Sequence, residues 1–139
     1  MICPYCNKEA NWVENREIYG RNFGRSFMAW LCKPCDAYVG CHNNTKKPLG
    51  TMANRETREW RKKAHAVYDT LWDSGFKDKY WELDGKDRRA MKYMRRKRKE
   101  LYERISKDFG YEVHIGSSNI EQCKKIIAWC NQKECLSKY

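Results

Sequence analysis

A chain of 139 residues with 34% charged, 41% hydrophobic and 14% aromatic side chains is too aromatic for a disordered segment and has the usual size of one domain. No apolar run approaches the roughly 18 to 20 residues that span a bilayer, which excludes a helical membrane protein. The formal net charge of +11 points to a polyanionic partner, most often nucleic acid, with an acidic protein surface as the remaining possibility.

The N-terminus enters a cysteine-containing loop at once, without a signal peptide's apolar segment, so the expected location is a reducing cytoplasm. Eight cysteines then read as thiolates and not as a disulfide framework. Four of them form the pairs Cys3-Pro4-Tyr5-Cys6 and Cys32-Lys33-Pro34-Cys35, separated by 25 residues. Each C-x-x-C can place two sulfurs on one metal, and two such knuckles complete the tetrahedral four-thiolate shell of structural zinc. The predicted ligands of one structural Zn2+ are therefore Cys3, Cys6, Cys32 and Cys35. A closed shell leaves no position for water, so this ion would be structural and not catalytic. Cys41 and His42 follow closely and are the alternative ligands; either one replacing Cys35 would change the ribbon towards a treble clef.

Between the knuckles, residues 11–19 and 25–31 read as two strands joined by a turn containing Gly20 and Gly24. After the turn at Pro48-Leu49-Gly50, Asn54 is placed to cap a helix over residues 55–73, ended by Gly75. Trp60, Ala64, Val67, Tyr68, Leu71 and Trp72 recur there at helical spacing and form its packing stripe. The cations of this helix are balanced locally by Glu56, Glu59 and Asp69, which suits a solvated surface.

A second helix is predicted over about 86–107, with Ala90, Met94, Leu101 and Ile105 as a thin buried stripe. Residues 86–109 carry 11 basic against 4 acidic side chains, so most of the charge excess is concentrated here. Arg88, Arg89, Lys92, Arg95, Arg96, Lys97, Arg98 and Lys99 fall within twelve residues with no carboxylate among them, and are expected to lack neutralising helical neighbours. Phosphate contact is the favoured role, because neutralising phosphates releases counterions and gives sequence-independent affinity. Tyr80, Trp81 and Tyr93 lie nearby but read as core before base-stacking residues.

Residues 111–116 read as a short strand or turn. Ser118-Asn119-Ile120-Glu121 then reads as a capping box opening a last helix, with Ile120, Cys123, Ile126, Ile127 and Cys130 on one side. Cys130 and Cys135 are a weaker candidate metal pair, since no fourth ligand is evident. The predicted fold class is α+β: a four-cysteine zinc-ribbon β-hairpin module over 1–50, then about three helices over 51–139 packed on it.

The C-P-Y-C knuckle, the stretch from Cys32 to His42, the turn from Pro48 to Thr51, the segment from Arg58 to His65 with Asp69 and Trp72, and Val113-His114-Ile115-Gly116 followed by Cys123 together resemble a zinc-finger-containing domain family of unknown function found in phages and prophages. The resemblance covers nearly the whole chain; it implies zinc and a phage or prophage origin, and it brings no activity with it. It also makes His42, His65 and His114 stand out.

Three functions follow. The first is non-enzymatic binding of nucleic acid, DNA or RNA, through the basic helix. The second is a phage effector that docks its basic face on a host protein. The third is a metal-dependent nuclease using the histidines with Asp36 or Asp69, for which no continuous motif is present. No membrane partner and no small-molecule substrate are expected.

Overall fold

The computed structural model describes residues 1–21, 26–73 and 87–137. They form an α+β fold in two compact units, Met1–Glu59 and Trp60–Tyr139. No described helix is long and apolar enough to cross a membrane.

The first unit is a three-stranded antiparallel sheet of β1 (Asn11–Glu14), β2 (Met28–Cys32) and β3 (Ala37–Gly40), in that order. Trp12 faces Trp30 across the first pair and Cys32 faces Ala37 across the second. Side chains alternate along the strands, so Ala29, Leu31, Ala37 and Val39 are buried while Trp30 and Tyr38 are only half-buried. Ala10, Val39 and Met52 pack with Cys3, Cys32 and Ala37 in a small core that is itself partly sulfur.

The expected strand over residues 11–19 ends at Glu14, and a short helix, α1 (Arg16–Tyr19), takes its second half. Asn15 causes the break. It is fully buried in an α-helical conformation, and its carbonyl accepts from the N–H groups of Ile18 and Tyr19. Gly20 ends the turn at φ +75°, a left-handed conformation that glycine adopts without a Cβ penalty. Gly24 and Arg25, named for the turn and the second strand, lie outside the described residues. The module is thus a sheet with a third strand, β3, rather than a lone hairpin.

Helix α2 (Arg55–Asp73) starts as its sequence predicts, with the Thr57 N–H donating to Asn54 Oδ1 at 3.0 Å. Helix α3 (Arg88–Phe109) is opened by Asp87, whose carboxylate accepts from the Arg89 N–H at 2.8 Å, and closed by Gly110 at φ +77°. A 3-10 turn (Ile115–Ser117) precedes α4 (Ile120–Ser137). The cap of α4 is one residue later than expected: Asn119 and Gln122 exchange bonds, Asn119 N–H to Gln122 Oε1 at 2.8 Å and Gln122 N–H to Asn119 Oδ1 at 2.9 Å. Ser118 is instead buried, its hydroxyl donating to the His114 carbonyl.

The second unit has its own core. Ala64 and Tyr68 from α2, Leu101 and Ile105 from α3, and Cys123, Ile126, Trp129 and Cys130 from α4 close around Val113 and Ile115. Its polar groups are paired: the Trp129 indole donates to Asp108 at 2.7 Å, and the buried Tyr68 hydroxyl to the Arg98 carbonyl at 2.6 Å. Cys130 is thereby a core residue, and the Cys135 side chain lies outside the described residues.

Candidate metal centre and basic helix

The two knuckles are built the same way from different surroundings. The first is a loop in which the Cys3 N–H donates to the Lys8 carbonyl and the Asn7 N–H to the Cys3 carbonyl. The second is the β2–β3 turn itself, closed by the Asp36 N–H on the Lys33 carbonyl at 3.0 Å. In both, the residue after the second cysteine is left-handed, Asn7 at φ +60° and Asp36 at φ +49°. Asn and Asp tolerate that region better than other side chains, which explains their place at both exits.

The four Sγ atoms of Cys3, Cys6, Cys32 and Cys35 lie within 4.8 Å of one another, with Cys6 and Cys32 3.7 Å apart. A tetrahedral shell with zinc–sulfur bonds of about 2.3 Å places its sulfurs about 3.8 Å apart, so the donor set fits one zinc ion. Cys3 and Cys32 are buried and Cys6 and Cys35 half-buried. Cys41 and His42 stand outside this set. Cys41 is buried past β3, its N–H on the Met28 carbonyl, and His42 is exposed.

The thiols bear on one another as ligands should. At Cys3, burial opposes ionisation, but backbone N–H groups of Tyr5 and Cys6 and the thiols of Cys32 and Cys6 bring the pKa down to about 7. Burial, the thiols of Cys6, Cys32 and Cys3, and the negative charge on Cys3 push Cys35 up to about 12. One thiolate is readily held by the protein alone; four need a bivalent cation among them.

Two side chains tie the knuckles to the start of α2. The Tyr5 hydroxyl accepts from the Asn54 N–H at 3.1 Å and bonds Thr57 Oγ1 at 3.0 Å. Arg58 donates to the carbonyls of Asp36 at 2.6 Å and Ala53 at 2.9 Å, pairs with the Asp36 carboxylate at 3.1 Å, and lies 4.3 Å over the Tyr38 ring. Reading the α2 cations as merely solvated missed this. Neither tie leaves a local pattern, because each joins residues far apart in the chain.

Two C-x-x-C knuckles closing one sulfur cluster beside a small antiparallel sheet define a zinc-finger protein of the four-cysteine class. The chain belongs to the family described as a zinc-finger-containing domain, whose profile matches residues 1–83. No curated protein and no solved structure matches it.

All eight basic residues named from the sequence lie on α3, but they do not form one uniform face. Asp87 and Glu100, just outside the run, neutralise part of it. Arg89 pairs with Asp87 at 3.5 Å, and Arg96 and Lys97 reach Glu100 at 3.8 and 3.5 Å. The expectation that helical neighbours leave the run unpaired is corrected for these three: Glu100 sits at the i+4 position from Arg96 and i+3 from Lys97, and the capping Asp87 reaches Arg89. Arg98 lies against the core side, 5.5 Å over the Trp72 ring. Arg88, Lys92, Arg95 and Lys99 recur at three- and four-residue spacing on the side away from buried Ala90, Leu101 and Ile105. They are exposed and have no carboxylate partner among the described residues. Tyr93 is half-buried beneath Arg96 and Lys97, each 5.6 Å from its ring, while Tyr80 and Trp81 lie outside the described residues.

The three histidines do not share one site: His65 and His114 bear on each other within the second unit, and His42 is in the first. Asp36 is engaged by Arg58. His65 precedes Asp69 by one helical turn, and the Asp69 carboxylate accepts from the Trp72 indole at 2.7 Å. Desolvation lowers the His65 pKa, opposed by Asp69 and reinforced by His114, Arg61 and Arg98. His114 stacks on Tyr102 at 5.1 Å. Among the described residues, the cysteine set is the one group of three or more metal-ligating side chains close enough to share an ion.

Proposed function

We propose that this is a non-enzymatic, zinc-stabilised nucleic-acid-binding protein of phage or prophage origin, acting in a reducing cytoplasm and contacting phosphates with the outward stripe of α3. The observation that carries the reading is the stripe itself. Arg88, Lys92, Arg95 and Lys99 present four exposed cations at helical spacing with no described carboxylate to satisfy them, in a chain of net charge +11. Arg89, Arg96 and Lys97 can add to the field but must first give up Asp87 or Glu100. The origin rests on the resemblance of the knuckle and turn motifs to phage domains, and the compartment on the need for reduced cysteines.

Four phosphate contacts on duplex DNA correspond to a log–log salt slope of about −3.6, or about 150-fold weaker binding between 50 and 200 mM salt. Reversing Arg88, Lys92, Arg95 and Lys99 to Glu is expected to abolish binding in fluorescence anisotropy. Reversing only Arg96 and Lys97 should weaken it far less. A quadruple variant that folds and binds DNA and RNA as tightly as the parent would refute the assignment.

A further inference from the structure

A groove of about 850 Å3 runs along the C-terminal half of α3 in the second unit. That volume is within the range of about 300–1,000 Å3 found for ligand sites. Its wall is made by Tyr102 and by residues 110–114, which turn back along the helix. Gly110 makes that turn at φ +77° with its N–H on the Ser106 carbonyl, and the Val113 N–H then returns to Ser106 Oγ at 2.8 Å.

The wall is aromatic and held in place. Tyr68, Tyr102 and His114 form a continuous stack, with ring centroids 4.5 and 5.1 Å apart and interplanar angles of 27° and 16°. A Cβ at position 116 would sit 3.2 Å from the His114 ring, so Gly116 leaves the space that ring occupies. Tyr111 also lines the groove and is 42% exposed, a large ring offered to solvent at the surface of a domain that otherwise buries its core. Four cations, Arg95, Arg98, Lys99 and Lys107, stand at the groove against two carboxylates, Glu103 and Glu112. Arg95 and Lys99 belong to the outward stripe of α3 as well, so the charged stripe and the aromatic groove are continuous.

We propose that this groove receives an unstacked base of a single-stranded nucleic acid on the exposed Tyr111 ring, with the Tyr102–His114 stack as the fixed wall beside it, while the α3 stripe holds the neighbouring phosphates. The inference rests on the phosphate-binding reading of α3 and adds the substrate class. A duplex keeps its base faces stacked on one another and can use only the stripe; a single strand can use both. Aromatic stacking of bases tolerates any sequence, because every base has a π-face.

The test uses the full chain and two labelled probes, an oligothymidylate and a DNA hairpin duplex of equal phosphate count. Tyr111→Ala is expected to weaken oligothymidylate binding by about tenfold or more while duplex binding changes by less than about twofold. Tyr111→Phe should restore the single-strand affinity. Equal loss on both probes, or no loss on either, overturns the groove and leaves the stripe standing. A parent protein that binds neither probe overturns both. Photocrosslinking of the parent to a 5-iodouracil oligonucleotide does not depend on the variant folding: a crosslink at Tyr111, Tyr102 or His114 supports the groove, and crosslinks confined to residues outside it refute it.

Discussion

Replacing Tyr68 by Phe removes one hydroxyl from the centre of the second unit and nothing else. Tyr68 is 1% exposed, stacks on Tyr102 at 4.5 Å, and donates to the Arg98 carbonyl at 2.6 Å, which fixes α2 against the middle of the basic helix. The Arg98 carbonyl lies inside α3 and retains its helical partner, so the variant leaves no orphaned acceptor. The expected loss is that of one net hydrogen bond, about 1 kcal/mol near neutral pH. For a unit of this size that corresponds to a fall of roughly 4 to 8 °C in midpoint temperature.

The pH dependence makes the prediction sharper. Burial, with contributions from Tyr102 and Asp69, raises the Tyr68 pKa well above the ordinary phenol value, so the folded state keeps the proton while the unfolded chain can lose it. Stability from this group is therefore complete below about pH 10 and declines as pH rises past that value. At pH 10.5 the unfolded phenol gains about 0.8 kcal/mol from ionising, a gain that Phe does not have. Urea titrations should show parent and Tyr68→Phe separated by about 1 kcal/mol at pH 8 and nearly coincident at pH 10.5. A gap that stays constant or widens with pH would refute the buried, donating hydroxyl.

Arg58→Ala removes three bonds to residues 36 and 53, one of them to a carboxylate that is 63% exposed. After discounting the exposed ion pair, the loss should be about 1 to 3 kcal/mol, read as faster hydrogen exchange at the second knuckle; unchanged protection there would show the tie to be incidental. Zinc retention should fall as the pH is lowered, because protons compete with the metal for all four thiolates. A chromophoric chelator assay across pH 5 to 8 reads this directly, and retention independent of pH would contradict thiolate ligation.

The parts legible in the sequence are those whose cause is local. A C-x-x-C pair declares its own turn, and the two pairs converge in space as their spacing suggests. Asn54 caps α2, and the burial of Ala90, Leu101 and Ile105 follows the helical period. Where a local rule had a close competitor, it misplaced the element. Asn15 turns the first strand into a helical turn because its carbonyl collects two N–H groups, and Asn119 with Gln122 takes the α4 cap from Ser118. β3 escaped notice because its four residues directly follow the second knuckle, leaving little pattern apart from it. The neutralisation of Arg96 and Lys97 was visible in principle, since Glu100 lies within helical reach, but counting charge inside the run hid it. The contacts of Tyr5 and Arg58 depend on chain segments brought together only by folding, and the groove at Tyr111 on the left-handed turn at Gly110 that lays residues 110–114 back along α3.

Purified under reducing conditions and washed of loosely bound metal, the protein should contain one zinc per chain by elemental analysis, and changing Cys32 and Cys35 together to Ser should remove it and release residues 1–59 to rapid hydrogen exchange. Metal-free protein that keeps the protection of that unit, or zinc retained at one per chain in the double variant, would contradict the four-sulfur centre on which the account rests.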